Sequence, residues 1–282
     1  MSTRRPVHSD IDDVLEALCV GLPTLSIRKE NERQVFVESD ADAEIYSRIY
    51  TKLKANLYGD MANLTLNFVA SGTSYKSGSC DHAISLCHKL REAGSTTAFA
   101  VIDFDGKHTS TEHVYVLGDG EGYSIENFIL IPILVLGLLS NRHGQGGGMP
   151  EFASDLDLVN MSNQTQETVQ AYTDSFCEHL VTECTKLRDG SDLNQKYVNI
   201  DFSLNSERPI SLFGDITINL PEWYLSSNGH ELEKLVVTIF PELNQYGSNA
   251  GQLMQAVVQY VLCSHLQYCP KPLIDTLSKL QT

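Results

Sequence analysis

The chain has 282 residues, 42% of them hydrophobic, 20% charged and 8% aromatic, the composition of a folded globular protein rather than of a disordered, collagen-like or disulfide-scaffold chain. Its 20 Lys and Arg stand against 36 Asp and Glu, a formal net charge of -16. Such a field repels phosphate backbones, which excludes a stand-alone non-specific nucleic-acid binder unless a local basic patch, a divalent metal or a partner brings the substrate in.

The N-terminal segment 1–10 carries Arg4 and Arg5 without an apolar stretch behind them, so it does not read as a signal peptide. Ser9 is placed to cap a helix through Ile11, Val14, Leu15 and Leu18, which Gly21 and Pro23 end. Val35 to Val37 is a short apolar strand ending at Glu38. A helix is expected from Asp42 onward, with Ile45, Tyr46, Ile49, Tyr50, Leu53 and Leu57 on one side. Leu64 to Val69 is strand-like, Ser71 to Gly78 is a loop containing Lys76, and Ala83 to Leu90 is helical. Ala98 to Ile102 is the continuous apolar run of a strand buried on both faces, and it ends in Asp103, Phe104 and Asp105. Val114 to Leu117 is expected to be a fourth strand.

Strand and helix alternating in this way predict an α/β fold with a parallel sheet flanked by helices. The longest apolar run, Phe128 to Leu139, falls short of the roughly 20 residues of a membrane span and contains Pro132, so it is expected to be a buried helix or a strand–helix junction. Asn141 to Gly148 is a flexible polar stretch, and 149–187 is expected to be a mainly helical insertion or second domain. Helical periodicity returns at Leu232, Leu235, Val236, Ile239 and Phe240 and again at Val257, Val258, Val261 and Leu262. The expected division is an α/β core over 1–140, a helical insertion over 141–195, and a return to the core with C-terminal helices over 196–282.

Seven cysteines, an odd number without a dense framework, fit a reducing compartment, and the cytoplasm is the expected location. Cys80 and Cys87, like Cys177 and Cys184, are two helical turns apart, too far for a disulfide or a shared tetrahedral metal, and are expected to be buried thiols. His82 and His88 show no zinc spacing.

In parallel α/β sheets ligands bind beyond the carboxyl ends of the strands. Glu38 closes the first predicted strand, and Asp103 and Asp105 close the third, with side chains on the same face about 6.5 to 7 Å apart. Three ionised carboxylates at one edge require a cation, and Mg²⁺ or Mn²⁺ resolves the repulsion while activating a water for attack on phosphate. Taken singly, each acid also reads as a solvated loop residue. Lys76 lies at the same edge, where its cation could hold a phosphate oxygen or simply face solvent. Glu126 follows Ser124, so it reads equally as an acid favoured in a first helical turn and as a metal ligand. His230, at a helix start, reads as making local hydrogen bonds or as facing the site.

The order of these motifs, VFVESDADAEIY with Glu38, Asp40 and Asp42 and then AFAVIDFD with Asp103 and Asp105, resembles the Toprim domain of topoisomerases, primases and OLD-type nucleases. GDGEGYSIENFIL and NGHELEKLV, with Gly229 and His230, are similar to elements of a narrower Toprim group that includes effectors of the PARIS anti-phage defence system. The resemblance covers most of the chain in motif order, whereas 156–191 matches no element of it. Ser39 departs from it, standing where Toprim chains usually have Gly.

The resemblance implies Glu38 as a metal ligand or general acid/base, Asp103 and Asp105 as the metal-binding pair, and Glu126 as a further acid beside the metals. It implies a Mg²⁺- or Mn²⁺-dependent endonuclease, a toxic effector cleaving RNA, tRNA in particular. An ABC-type ATPase subunit would sequester it until infection, with homodimerisation on release. The chain has no Gly-x-x-x-x-Gly-Lys-Ser/Thr loop, so ATP hydrolysis would belong to that partner. Two further readings stand beside it: a non-catalytic Toprim binding module in an ATPase complex, and another phosphoryl-transfer enzyme such as a primase-like polymerase or a small-molecule phosphohydrolase.

Overall fold

The computed structural model describes residues 31–55, 64–72, 79–104, 106–141, 149–189, 200–247 and 251–281. The helix expected over Ile11 to Leu18, Leu57, most of the Ser71 to Gly78 loop with Lys76, Asp105, and the glycine-rich stretch after Asn141 lie outside these.

A four-stranded parallel sheet is built from β1 (Glu32–Val37), β2 (Thr65–Ala70), β3 (Ala98–Ile102) and β4 (Val114–Val116), in the order β2-β1-β3-β4. Helices α1 (Asp40–Leu53) and α2 (Cys80–Glu92) connect the first three strands. Alternation along the strands assigns each helix to its own face. Val35, Val37, Phe99 and Val101 share a core with Ile45, Tyr46, Ile49 and Leu53 of α1. Phe36, Ala98, Ala100, Ile102, Val114 and Val116 pack with Ala83, Cys87 and Leu90 of α2. All five residues of β3 are buried, which is why its sequence is continuously apolar.

The apolar run after β4 becomes two short helices, α3 (Ile125–Ile129) and α4 (Pro132–Ser140). Pro132 takes the first turn of α4, where its missing N–H has no intrahelical partner in any case. Every residue of α4 is buried, so it has no polar face; each fully buried Leu or Ile there contributes about 1.5 to 3 kcal/mol. The next segment holds α5 (Gln166–Asp189), whose Val169, Phe176 and Leu180 enter the same core as α1 and α4. Phe176 stacks on Phe240 with ring centroids 5.3 Å apart.

An antiparallel hairpin of β5 (Glu207–Ser211) and β6 (Thr217–Pro221) follows, a feature that the sequence pattern does not announce. Gln170 of α5 covers the edge of β6, its amide donating to the Asn219 carbonyl at 3.1 Å and accepting the Asn219 N–H at 2.7 Å. The chain then forms α6 (Glu222–Ser226), α7 (Gly229–Ile239), α8 (Gln252–Val257), which runs on into a π-helical turn through Leu262, and α9 (Lys271–Lys279). Cys87, Cys177, Cys184 and Cys269 are buried thiols, and Cys80 is half-buried. Among the described residues no helix is long and apolar enough to cross a membrane.

Candidate active site

The chain leaves β1 toward β2 on one side and returns as β3 on the other, so the switch point of the sheet, where ligands bind in folds of this kind, falls between the carboxyl ends of β1 and β3. Glu38 and Asp103 are the first residues beyond those two ends. The Asp103 N–H donates to Glu38 Oε1 at 3.4 Å, so the two motifs meet in space.

Immediately after Glu38, Ser39 caps α1. Its side chain accepts the Asp42 N–H at 3.2 Å, while its own N–H and hydroxyl donate to Asp42 Oδ2 at 2.9 and 2.8 Å. This capping box starts α1 at Asp40, two residues before the expected Asp42. Ser39 has φ -131°, an extended conformation open to any residue, so glycine is not needed for the backbone path here. Its hydroxyl instead fixes Asp42 beside Glu38.

The far wall is made by α3. The N–H of Ile125, its first residue, donates to Asp103 Oδ1 at 3.1 Å, placing that carboxylate at the positive end of the helix. Glu126 follows and is only 5% exposed. Ser124 caps α3 together with Asn127, whose Oδ1 accepts the Ser124 N–H at 2.8 Å. The amide of the fully buried Asn127 donates to the carbonyls of Tyr224 and Ser227 at 2.7 and 3.1 Å, docking α3 on the turn between α6 and α7. That docking brings Gly229 and His230 against Glu126, and His230 Nδ1 lies 3.3 Å from Glu126 Oε1.

Burial dominates the electrostatics. It pushes the Asp42 carboxyl up to about 7, against the bonds from Ser39 and with the charges of Glu126 and Glu38. Burial, then the charges of Glu126, Asp42 and Glu38, holds Asp103 well above the usual carboxylate range. Glu126 goes the other way: burial disfavours its charge, but the bonds from His230 and Ser124 outweigh it and keep its pKa low. The same bond raises His230 against the opposing effect of burial. The cluster therefore holds one secured negative charge at Glu126 and retains protons on neighbours that would otherwise repel it.

Such a donor set fits a hard divalent ion, which replaces those protons by positive charge and takes carboxylate oxygens and water as ligands. Among the described residues no three of these carboxylates bring oxygens within 4.8 Å of one another, so one or two would ligate directly with water completing the shell.

Of the expected site residues, Glu38, Asp103 and Glu126 are brought together, while Asp105 and Lys76 lie outside the described residues. Glu126 stands in the first turn of the short α3, as the capping reading expects, and its carboxylate, bonded by Ser124 and His230, lies within the acidic cluster. His230 likewise faces Glu126 while its backbone N–H is held by the Asn228 side chain at 3.1 Å. Asp42 belongs to the first motif, but the Ser39-x-x-Asp42 spacing marks it only as a capping residue, and its place in the cluster comes from the fold. Glu233, one turn beyond His230, is buried with both oxygens accepting the Gly251 N–H at 3.2 and 3.0 Å, and no pattern marked it.

No protein-family model matches the sequence, and no curated protein is significantly similar to it.

Proposed function

We propose that the chain is a metal-dependent Toprim-type nuclease whose acidic cluster cleaves phosphodiesters, RNA and specifically tRNA being the target. The observation that carries this reading is the meeting of Glu38 and Asp103 at the switch point between β1 and β3, with Asp42 and Glu126 beside them. A bound Mg²⁺ or Mn²⁺ would supply Lewis acidity for the phosphoryl oxygen and would lower the pKa of a ligated water for attack on phosphorus.

Glu38 and Asp103 would hold the ion, with Asp105, which the motif resemblance pairs with Asp103 and which lies outside the described residues, as a further ligand. Ser39 keeps Asp42 oriented as a neighbouring acid that accepts or returns a proton near neutral pH. Glu126 fixes the imidazole of His230, whose side chain is 64% exposed and is thereby placed to donate a proton to a leaving oxygen. Lys76, from the loop after β2, steadies a phosphate oxygen.

The biological setting comes from the motif resemblance to AriB, the PARIS effector. The chain acts as a toxic effector in anti-phage defence, held by an ABC-type ATPase subunit and released on infection, then pairing as a homodimer. The net charge of -16 agrees with a restrained toxin that does not bind nucleic acid indiscriminately. The test is cleavage of mixed tRNA and plasmid DNA with Mn²⁺ by the chain released from its partner, alongside Glu38→Ala. Cleavage of tRNA by the wild type alone supports the reading. Silence from both proteins moves the weight to a non-catalytic metal-binding module.

A further inference from the structure

Away from the acidic cluster, the start of α2 and the segment leaving β3 bring together a donor set of different chemistry. Ser79 caps α2, its hydroxyl accepting the His82 N–H at 3.4 Å, and so fixes Cys80 and Asp81 as the first two helical residues. The helix is anchored through Ala83, Cys87 and Leu90 beneath β3 and β4, with Cys80 packed at the margin of that core. Gly106, at φ +75°, turns the chain leaving β3, and nothing lies within 4 Å of where its Cβ would be. His108 follows two residues later. A sulfur, a carboxylate oxygen and an imidazole nitrogen of Cys80, Asp81 and His108 consequently lie within 4.8 Å of one another, with His108 Nε2 3.4 Å from Asp81 Oδ1.

We propose that Cys80, Asp81 and His108 form a second metal site, selective for Zn²⁺ over the hard ions suited to the acidic cluster. One thiolate, one imidazole and one carboxylate are the ligands of a borderline-soft ion, and the 3.4 Å between His108 Nε2 and Asp81 Oδ1 suits an edge of the tetrahedron around Zn²⁺, with the Cys80 sulfur within 4.8 Å of both. Mg²⁺, which demands oxygen ligands and keeps its waters, gains nothing from a thiolate. Three protein ligands leave the fourth position for water, and the side chains of His108 and Asp81 are 27% and 81% exposed, so that position opens to solvent. Binding exchanges the Cys80 thiol proton for the metal, releasing one proton to solvent per ion bound. Bound Zn²⁺ would tie the segment around His108, beyond β3, to the start of α2, adding to the Asp81–His108 pair.

The test is a titration of the full chain, freed of metal by chelation, with Co²⁺ in the presence of excess Mg²⁺. The expected result is one Co²⁺ per chain with thiolate-to-cobalt charge-transfer absorption, bleached by Zn²⁺ and insensitive to Mg²⁺. Cys80→Ser abolishes the absorption, His108→Ala weakens binding by at least about tenfold, and a Glu38→Gln, Asp103→Asn double variant leaves it intact. That last arm keeps failure here separate from failure of the nuclease reading. Should the serine variant misfold, alkylation of the wild type mapped by mass spectrometry substitutes, with Zn²⁺ slowing modification at Cys80. Absence of a thiolate band in the wild type, its persistence in Cys80→Ser, or unchanged alkylation at Cys80 with Zn²⁺ would each overturn the proposal.

Discussion

Gly229 approaches Glu126 so closely that a methyl group on its α-carbon would stand 2.3 Å from Glu126 Oε2 and 2.2 Å from Ser124 Oγ. Two motifs about a hundred residues apart in sequence thus share one contact, and the first residue of α7 is glycine for lack of space rather than for its backbone freedom.

Gly229→Ala sets two effects against each other. Helix propensity alone would stabilise α7 by up to about 1 kcal/mol. The collision with Glu126 and Ser124, both buried, instead predicts a net loss of about 1 to 3 kcal/mol. Urea unfolding monitored by the single Trp, Trp223, decides the sign.

Asn127→Leu removes the amide that joins α3 to the turn before α7. The carbonyls of Tyr224 and Ser227 and the N–H of Ser124 lose this partner in a buried setting. A loss of about 2 to 4 kcal/mol is expected, with activity falling in parallel because His230 no longer faces Glu126. Thermal unfolding of the variant at matched pH measures the first part. An unchanged midpoint would mean that α3 and α7 are held by apolar packing alone.

Asp42 predicts an unusual dependence on pH. Its carboxyl rises from 3.8 to about 7 on folding, so between those values the folded chain binds the extra proton. The stabilisation from that proton is complete below about pH 4 and is lost as pH rises through 7. Asp42→Asn, which keeps an oxygen for Ser39, should therefore be more stable than the wild type at pH 8 by on the order of 1 to 3 kcal/mol, the gap closing toward pH 5. Calorimetry at the two values tests this, and saturating Mg²⁺ should shrink the gap at pH 8 by stabilising the wild type.

The sheet was legible because burial on both faces leaves an unbroken apolar run, as in Ala98 to Ile102, and because acids stand where those runs stop. The β5–β6 hairpin was not, since of Glu207 to Ser211 only Ile210 is buried and Pro209 breaks the pattern of a strand. Glu38, Asp103 and Glu126 could be read as site acids from strand ends and motif order. Asp42 has the sequence signature of an ordinary capping residue, and only its buried position beside Glu38 and Glu126 sets it apart. Cys80 and Asp81 approach His108 only through a turn at Gly106, a proximity that sequence spacing does not express.

The central claim is that the carboxylates at the ends of β1 and β3 bind a divalent cation. Electron paramagnetic resonance of Mn²⁺ titrated into the wild type and into the Glu38→Gln, Asp103→Asn variant tests it without any substrate. The account predicts bound Mn²⁺ in the wild type, displaced by Mg²⁺, and a loss of affinity of at least about tenfold in the variant. Equal binding by both proteins, or none by the wild type, would contradict it.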